Sequence, residues 1–415
     1  MKDKITLRGL AAGTYLFSVP VFSFSAELGL NAIPQLIGAM LVVYAAADLI
    51  LTGEIRRNVP LLLYVLFALW SIVPAVFSEF TNQMGSGTTL IKVMLITAAV
   101  SVLVKTRMDF IVSLSLFFLS IFVAMWLNLN DLTELRATEI TGTDRFAGTF
   151  ANANTAAMFG MTIIWSGFTL LMITRRSFIT ALVVTLGIAL AIVLIIYSGS
   201  KKGYLGLALF GLLAAWLVIK KQGRSFMGRI AVYLTVAAVL SGVMYVLYTS
   251  PFFYRVETMF DEQYSTDSRM YLFNRALFVW GSSAKNFLMG VGLGNFKFYN
   301  ILHVYSHSTI AETLVCTGVI GFLLYFGSLG SVIVLYGKAA AVLPAGQRTQ
   351  VWLVFILMLL ILFFNVAAVL YASRILWPLL GIISSQGVTL LEDAKPHRGE
   401  PLPYRLNFST GKLAV

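Results

Sequence analysis

Residues 181–197 read ALVVTLGIALAIVLIIY, a run with no charged residue and none of the apolar/polar alternation of a half-exposed strand. By hydropathy about twelve apolar spans recur, at roughly 10–27, 31–52, 60–78, 88–104, 109–127, 152–173, 178–198, 203–219, 230–249, 307–336, 350–370 and 373–391. Each can cross a bilayer core about 30 Å thick. In hydrocarbon every backbone N–H and C=O must be paired within the protein, which leaves helices and closed barrels. Barrel strands alternate in polarity, and these runs do not. The expected fold is an all-α polytopic membrane protein of about twelve transmembrane helices with a large helix-containing loop on one side. Charged residues make up only 12% of the chain, about half the share of a soluble domain. The first span contains Pro20 and lacks a convincing small-residue cleavage site, so it reads as a retained helix rather than a signal peptide.

Basic residues assign the two sides. With the N-terminus in the cytoplasm, Lys and Arg collect in the loops around Arg56, Lys105, Arg175, Lys220 and Lys338, and in the tail. The excess of basic over acidic residues on that side equals the whole formal net charge of +12. The basic character is therefore a topology signal of the positive-inside kind and argues against nucleic-acid binding. An even number of spans puts both termini inside. The expected organisation is a transmembrane helical domain over 1–391, with outer loops at about 128–151 and 250–306, and a short polar cytoplasmic tail over 392–415. The single cysteine, Cys316, excludes an intrachain disulfide and a cysteine metal cage.

A minority of cations falls on the outer side: Arg136, Arg145, Lys201, Lys202, Arg269 and Arg275, beside His303 and His307. Cations that run against the topology rule need another reason to be there, and an anionic substrate handled at the outer face supplies one. Arg145-Phe-Ala-Gly-Thr-Phe-Ala-Asn152-Ala-Asn154 leads from a loop into a span, where Asn152 can cap the helix. A helix N-terminus beside an arginine is an anion site; an ordinary capped helix start with an arginine nearby gives the same pattern. Ser198-Gly-Ser200-Lys201-Lys202-Gly203 is a tight outer turn whose lysines suit phosphates, lipid headgroups or plain solvent. Asp267-Ser268 can cap a surface helix running to about Gly281, with Met270, Phe273, Leu277 and Trp280 on its packed face and Arg269 and Arg275 turned to the outer opening. The Gly290-Val-Gly292-Leu-Gly294 string lacks the strand–turn–helix setting of a dinucleotide loop and reads as a flexible reentrant turn. His307-Ser308 opens the tenth span; histidine is the usual proton acceptor near neutral pH, and a capping or interfacial role is the plainer alternative. Glu312 is five residues on, about 140° round the helix from His307, so it does not orient that ring directly; pairing with an outer cation is the expectation. No third ligand accompanies His303 and His307, so no metal is expected.

Taken in order, R-F-x-G-T-F-x-N-x-N, S-x-S-K-K-G, S-R…R with G-x-G-x-G-x-F, and H-S-x-x-x-E-x-L-x-x-x-G-x-x-G resemble the bacterial O-antigen ligase and O-antigen polymerase superfamily over about residues 145–321. The resemblance implies an enzyme of the Gram-negative inner membrane with a periplasmic active site. Its donor is a glycan on undecaprenyl pyrophosphate. Its acceptor is lipid A–core in the ligases, another lipid-linked repeat in the polymerases, and a Ser or Thr hydroxyl in protein O-oligosaccharyltransferases. It also implies metal-independent, inverting transfer without a cofactor. The family's functional histidine corresponds to His307 and its loop arginine to Arg269. The position after the S-x-S turn is commonly arginine in the family; here it is Lys201, which keeps the charge and loses the bidentate fork. Ligase is the favoured activity, with membrane lipids around it. Arg136, Arg145, Lys201, Lys202, Arg269 and Arg275 are assigned to the pyrophosphate, His307 to the acceptor hydroxyl, and Asn152, Asn154, Glu312 and His303 to support. A transporter of lipid-linked saccharide is the competing class; it predicts polar sites in both halves and broken helices near the midplane.

Overall fold

A computed structural model describes residues 5–22, 30–78, 84–129, 150, 153–174, 177–222, 263–344, 348–366, 368–394, 406–407 and 412–413. The described chain is a helical bundle. Its helices are α1 (Leu7–Phe22), α2 (Ala32–Thr52), α3 (Val59–Trp70), α4 (Val73–Val76), α5 (Met84–Leu103), α6 (Arg107–Leu129), α7 (Ala153–Ile173), α8 (Phe178–Tyr197) and α9 (Lys201–Gln222). After them come α10 (Gln263–Gly281), α11 (Ala284–Met289), a 3-10 turn (Phe296–Tyr299), α12 (Thr309–Val342), α13 (Arg348–Val366) and α14 (Leu376–Asp393). A two-residue antiparallel pair, β1 (Leu406–Asn407) with β2 (Lys412–Leu413), lies in the tail.

Seven helical segments among the described residues are long and apolar enough to cross a membrane: Ala32–Thr52, Val59–Val76, Arg107–Asn128, Ala153–Ile173, Phe178–Tyr197, Thr309–Val342 and Arg348–Val366. Three shorter apolar helices accompany them. The expected span at 230–249 lies outside the described residues. The apolar side chains Leu36, Met40, Val43, Ile50 and Leu51 of α2, and Phe178, Ile179, Leu182 and Leu186 of α8, point outward. Such broad exposed apolar faces suit lipid, and the chain is a multi-pass membrane protein.

Close approach of small residues packs the bundle. Gly9 and Gly13 put a bare stripe on α1, and a Cβ added at Gly9 would meet the Asp109 backbone of α6 at 2.8 Å. This is the small-xxx-small contact that lets membrane helices touch backbone to backbone. Ser113 Oγ then donates to the Gly9 carbonyl at 3.0 Å. α14 is buried along almost its whole length, which is why it can carry Ser384, Ser385 and Gln386. Asn58 caps α3 by accepting from Leu61 N and donates through Nδ2 to Ser101 and Ser384, each at 2.9 Å. One amide thus joins α3, α5 and α14.

The loops sort into two ends. At one end Asp48 meets Arg8 at 2.7 Å and Lys105 at 2.8 Å, and Lys105 reaches Glu54 at 3.3 Å. Arg56 pairs with Glu392, and Arg107 donates to the Ile173 carbonyl. The opposite end carries Asn154, Ser200, the 3-10 turn, His303 and His307.

α12 would rise about 51 Å at about 1.5 Å per residue, well beyond a bilayer core, but it is broken at Gly318 (φ 67, ψ −174). The break frees carbonyls, and the protein takes them: Val291 N donates to Val315 O, Gly292 N to Cys316 O, and Trp70 Nε1 to Thr317 O, each at 2.9 Å. The Gly290–Gly294 string, expected as a flexible turn, is instead a docked clamp on α12. A Cβ at Gly290 would lie 2.4 Å from the Cys316 backbone, and one at Gly318 would lie 2.2 Å from Leu288 O.

Candidate active site

The two segments that flank the candidate site are tied to one another. Thr309 N and Oγ1 both donate to Ala368 O, and Leu370 N donates back to Thr309 Oγ1 at 3.0 Å. The start of α12 is thereby locked to residues 368–370, between α13 and α14. Tyr64 of α3 donates to the Tyr371 carbonyl at 3.2 Å and holds the far end of that linker.

His307 precedes α12 with φ 58, a left-handed backbone uncommon for histidine. Glu312 helps to fix it there: the carboxylate accepts Ser306 N–H at 2.7 Å and the Cys316 thiol at 3.5 Å. Among the described residues Glu312 forms no salt bridge and acts as a loop anchor; Arg136, Arg145 and the Lys201 side chain, with which the expected pairing stays open, lie outside them. Glu312 is 1% exposed and sits inside the first turn of α12.

His307 is half-buried and faces a cavity of about 420 Å³, whose wall includes Asn154, Gly294, Lys297, His303, Tyr305 and Tyr371. The Tyr305 ring lies 4.2 Å from it, tilted by 49°. Burial holds the His307 imidazole below its ordinary pKa, and the charges of Arg269 and Lys202 push it the same way. A histidine so placed is neutral near pH 7 and able to accept a proton. The Tyr305 phenol is raised, by burial first and then by the Glu312 charge, with Arg269 opposing.

The cations reach this point from separate elements. Ser200 caps α9, accepting from Gly203 N at 3.3 Å, and donates to Asn154 Oδ1 at 2.9 Å. The cap carries Lys202 into the first turn of α9 and couples it to the start of α7. The side chain of Lys201 lies outside the described residues, as do Arg136, Arg145 and Asn152. α10 begins at Gln263, four residues before the expected cap, so Asp267 is inside the helix. Its buried stripe is Leu272, Ala276 and Val279, while Met270 points outward. Arg269 is exposed on this helix and within electrostatic reach of His307. Arg275 is engaged elsewhere: Nε donates to Tyr299 O at 2.7 Å and its guanidinium covers the Phe278 ring. His303 is exposed, with Nδ1 3.2 Å from Lys297 O.

Lys297, Tyr305 and Tyr371 are cavity residues that motif reading did not single out. Lys297 left a trace, as one more cation on the outer side, against the topology rule; the two tyrosines left none. Among the described residues no three His, Cys, Asp or Glu side chains converge as a metal site would require.

Residues 186–326 match the family model described as O-Antigen ligase. The match runs from α8 into α12 and contains Lys201, Lys202, Arg269, Arg275, His303, His307 and Glu312. A search of curated proteins found no match to the chain. The match covers less than half of the chain, and over that stretch the chain is similar to the O-antigen ligase family.

Proposed function

We propose that the chain is an O-antigen ligase, moving O-antigen polysaccharide from undecaprenyl pyrophosphate to lipid A–core. In this reading about twelve helices span the inner membrane, residues 1–391 form the transmembrane domain, the tail is cytoplasmic, and the His307 end faces the periplasm. The observation that carries it is the half-buried His307 beside a cavity of about 420 Å³, held below its ordinary pKa by burial and by the charges of two cations on different helices. The acceptor oxygen attacks the anomeric carbon, its proton passes to the imidazole, and the bond from that carbon to the phosphate oxygen breaks. Lipid diphosphate already departs readily. Arg269 and Lys202 stabilise its charge, with Arg136, Arg145 and Lys201 assigned to the same group. Positioning and electrostatics supply most of the rate, with no metal or cofactor and with inversion at carbon.

The transporter reading loses support at the break in α12. A broken transporter helix offers its freed carbonyls to an ion or substrate, whereas those of 315–317 are taken by Val291, Gly292 and Trp70. The test is reconstitution of purified protein with lipid-linked glycan and three competing acceptors: lipid A–core, a second lipid-linked repeat and a protein. Transfer to lipid A–core in excess EDTA is expected. Preference for the lipid-linked repeat makes the enzyme a polymerase, and preference for the protein makes it a protein O-oligosaccharyltransferase.

A further inference from the structure

A second concavity, of about 630 Å³, lies at the same end of the bundle on the far side of the α13–α14 linker. Thr155 and residues 369–371 border both it and the His307 cavity, so one thin partition separates the two spaces. Polar side chains make up part of the lining of the second space. Arg374 lines it from the linker, Asn31 and Gln35 from the start of α2, and Thr89 from α5. Arg374 is half-buried, and among the described residues no carboxylate forms a salt bridge with it. Asn31 sits at the cap position of α2 without its side chain capping that helix.

A group-transfer enzyme with two large substrates needs two places for them, meeting at the reacting atoms. On the His307 side Lys297 lines the cavity, and Arg269 and Lys202 act on His307 through their charge. A guanidinium beyond the partition, flanked by amides and a hydroxyl, matches an anionic group carried on a sugar: the fork takes the phosphate or carboxylate and the amides take hydroxyls.

We propose that the Arg374 concavity is the acceptor subsite and binds a phosphorylated or otherwise anionic saccharide headgroup, whose sugar chain extends past the shared border at Tyr371 and Thr155 to bring its hydroxyl to the donor on the His307 side. The assignment rests on the transferase reading of the His307 cavity. Phosphate could reach Arg374 from the acceptor or from the donor diphosphate, and steady-state kinetics separate the two.

Purified, reconstituted enzyme is assayed with each substrate varied in turn, as wild type, Arg374→Ala, Arg374→Lys and the exposed-site variant Gln35→Ala. Loss of a charge-assisted hydrogen bond predicts an acceptor KM raised about ten- to hundredfold in Arg374→Ala, with donor KM unchanged. Arg374→Lys recovers part of the loss, and Gln35→Ala shows a smaller rise in acceptor KM alone. Phosphatase treatment of the acceptor weakens the wild type and leaves Arg374→Ala unaffected. A raised donor KM assigns Arg374 to the diphosphate and overturns the proposal, as does an acceptor KM equal to wild type. Direct binding of deacylated lipid A–core oligosaccharide, intact or phosphatase-treated, is read in parallel. Arg374-dependent binding without transfer keeps the subsite and removes the ligase reading; transfer without Arg374 dependence does the reverse.

Discussion

Glu312 accepts the backbone N–H of Ser306 at 2.7 Å, across the turn that carries His307. The bond spans the boundary between loop and helix, so an acid buried in α12 sets the position of a base outside it. Removing the carboxylate leaves a buried N–H unpaired, at a cost of about 1–3 kcal/mol. Glu312→Ala should therefore lower both the melting temperature and turnover, while Glu312→Gln, whose amide oxygen still accepts, should keep most of each. Wild-type turnover in Glu312→Ala, measured on folded protein in detergent, would separate this anchor from catalysis.

The break in α12 offers a test of architecture. Gly318 holds a backbone conformation essentially reserved for glycine, and any Cβ there runs into Leu288 O. Gly318→Ala should destabilise by at least the about 1–3 kcal/mol of such strain. Gly330→Ala, in the same helix with nothing within 4 Å of the added Cβ, should be neutral or stabilising by about 0.5–1 kcal/mol. Thermal melts of the two variants compare them directly, and equal melting temperatures would contradict the clamp.

The pH profile follows from the charges around His307. The neutral imidazole is the active form, so turnover should rise with pH through a midpoint below the ordinary histidine value. Arg269 and Lys202 both lower that pKa. Arg269→Ala removes one of them, so the histidine pKa rises and the activity limb moves to higher pH. Burial, the larger cause, remains, so the shift recovers only part of the difference. Arg269→Ala should also weaken donor binding about tenfold or more, and Arg269→Lys should recover only part, having lost the bidentate fork. An unmoved limb with unchanged donor affinity in folded Arg269→Ala protein would take this residue out of the site.

The hydropathy profile made the bundle legible because a crossing helix needs a long apolar run whatever its neighbours are. The charge pattern separated Arg8, Arg56, Lys105 and Arg107 from Lys202, Arg269 and His307, and these groups do lie at opposite ends. What hydropathy could not carry is lateral contact. The partner of Glu312 is a backbone N–H created by a loop conformation, which no side-chain pattern announces. The glycines at 290–294 read as flexible because their other role depends on carbonyls freed at Gly318, far along the chain. On α10 the expected face holds in part: Phe273 and Trp280 pack against the core, but the most buried stripe, Leu272, Ala276 and Val279, is one residue round the helix and Met270 points outward, a difference that apolar periodicity alone does not resolve.

Sidedness is testable with single cysteines in a Cys316→Ser background. Cysteines replacing Arg269 and His303 should react with a membrane-impermeant thiol reagent applied from the periplasm. Cysteines replacing Arg107 and Arg348 should react only after the inner membrane is opened. The opposite pattern would invert the orientation and with it the compartment of the proposed reaction.

The central claim is that His307 takes the proton of the acceptor hydroxyl. Single-turnover transfer from lipid-linked glycan to the native acceptor, comparing wild type with His307→Ala at saturating donor, measures it most directly. General-base assistance is worth about 10²–10⁴-fold, so the account predicts a loss of that size with donor affinity and melting temperature close to wild type, and a milder loss for His303→Ala. Near-full single-turnover transfer by His307→Ala would contradict it and leave acceptor activation to another group at the cavity.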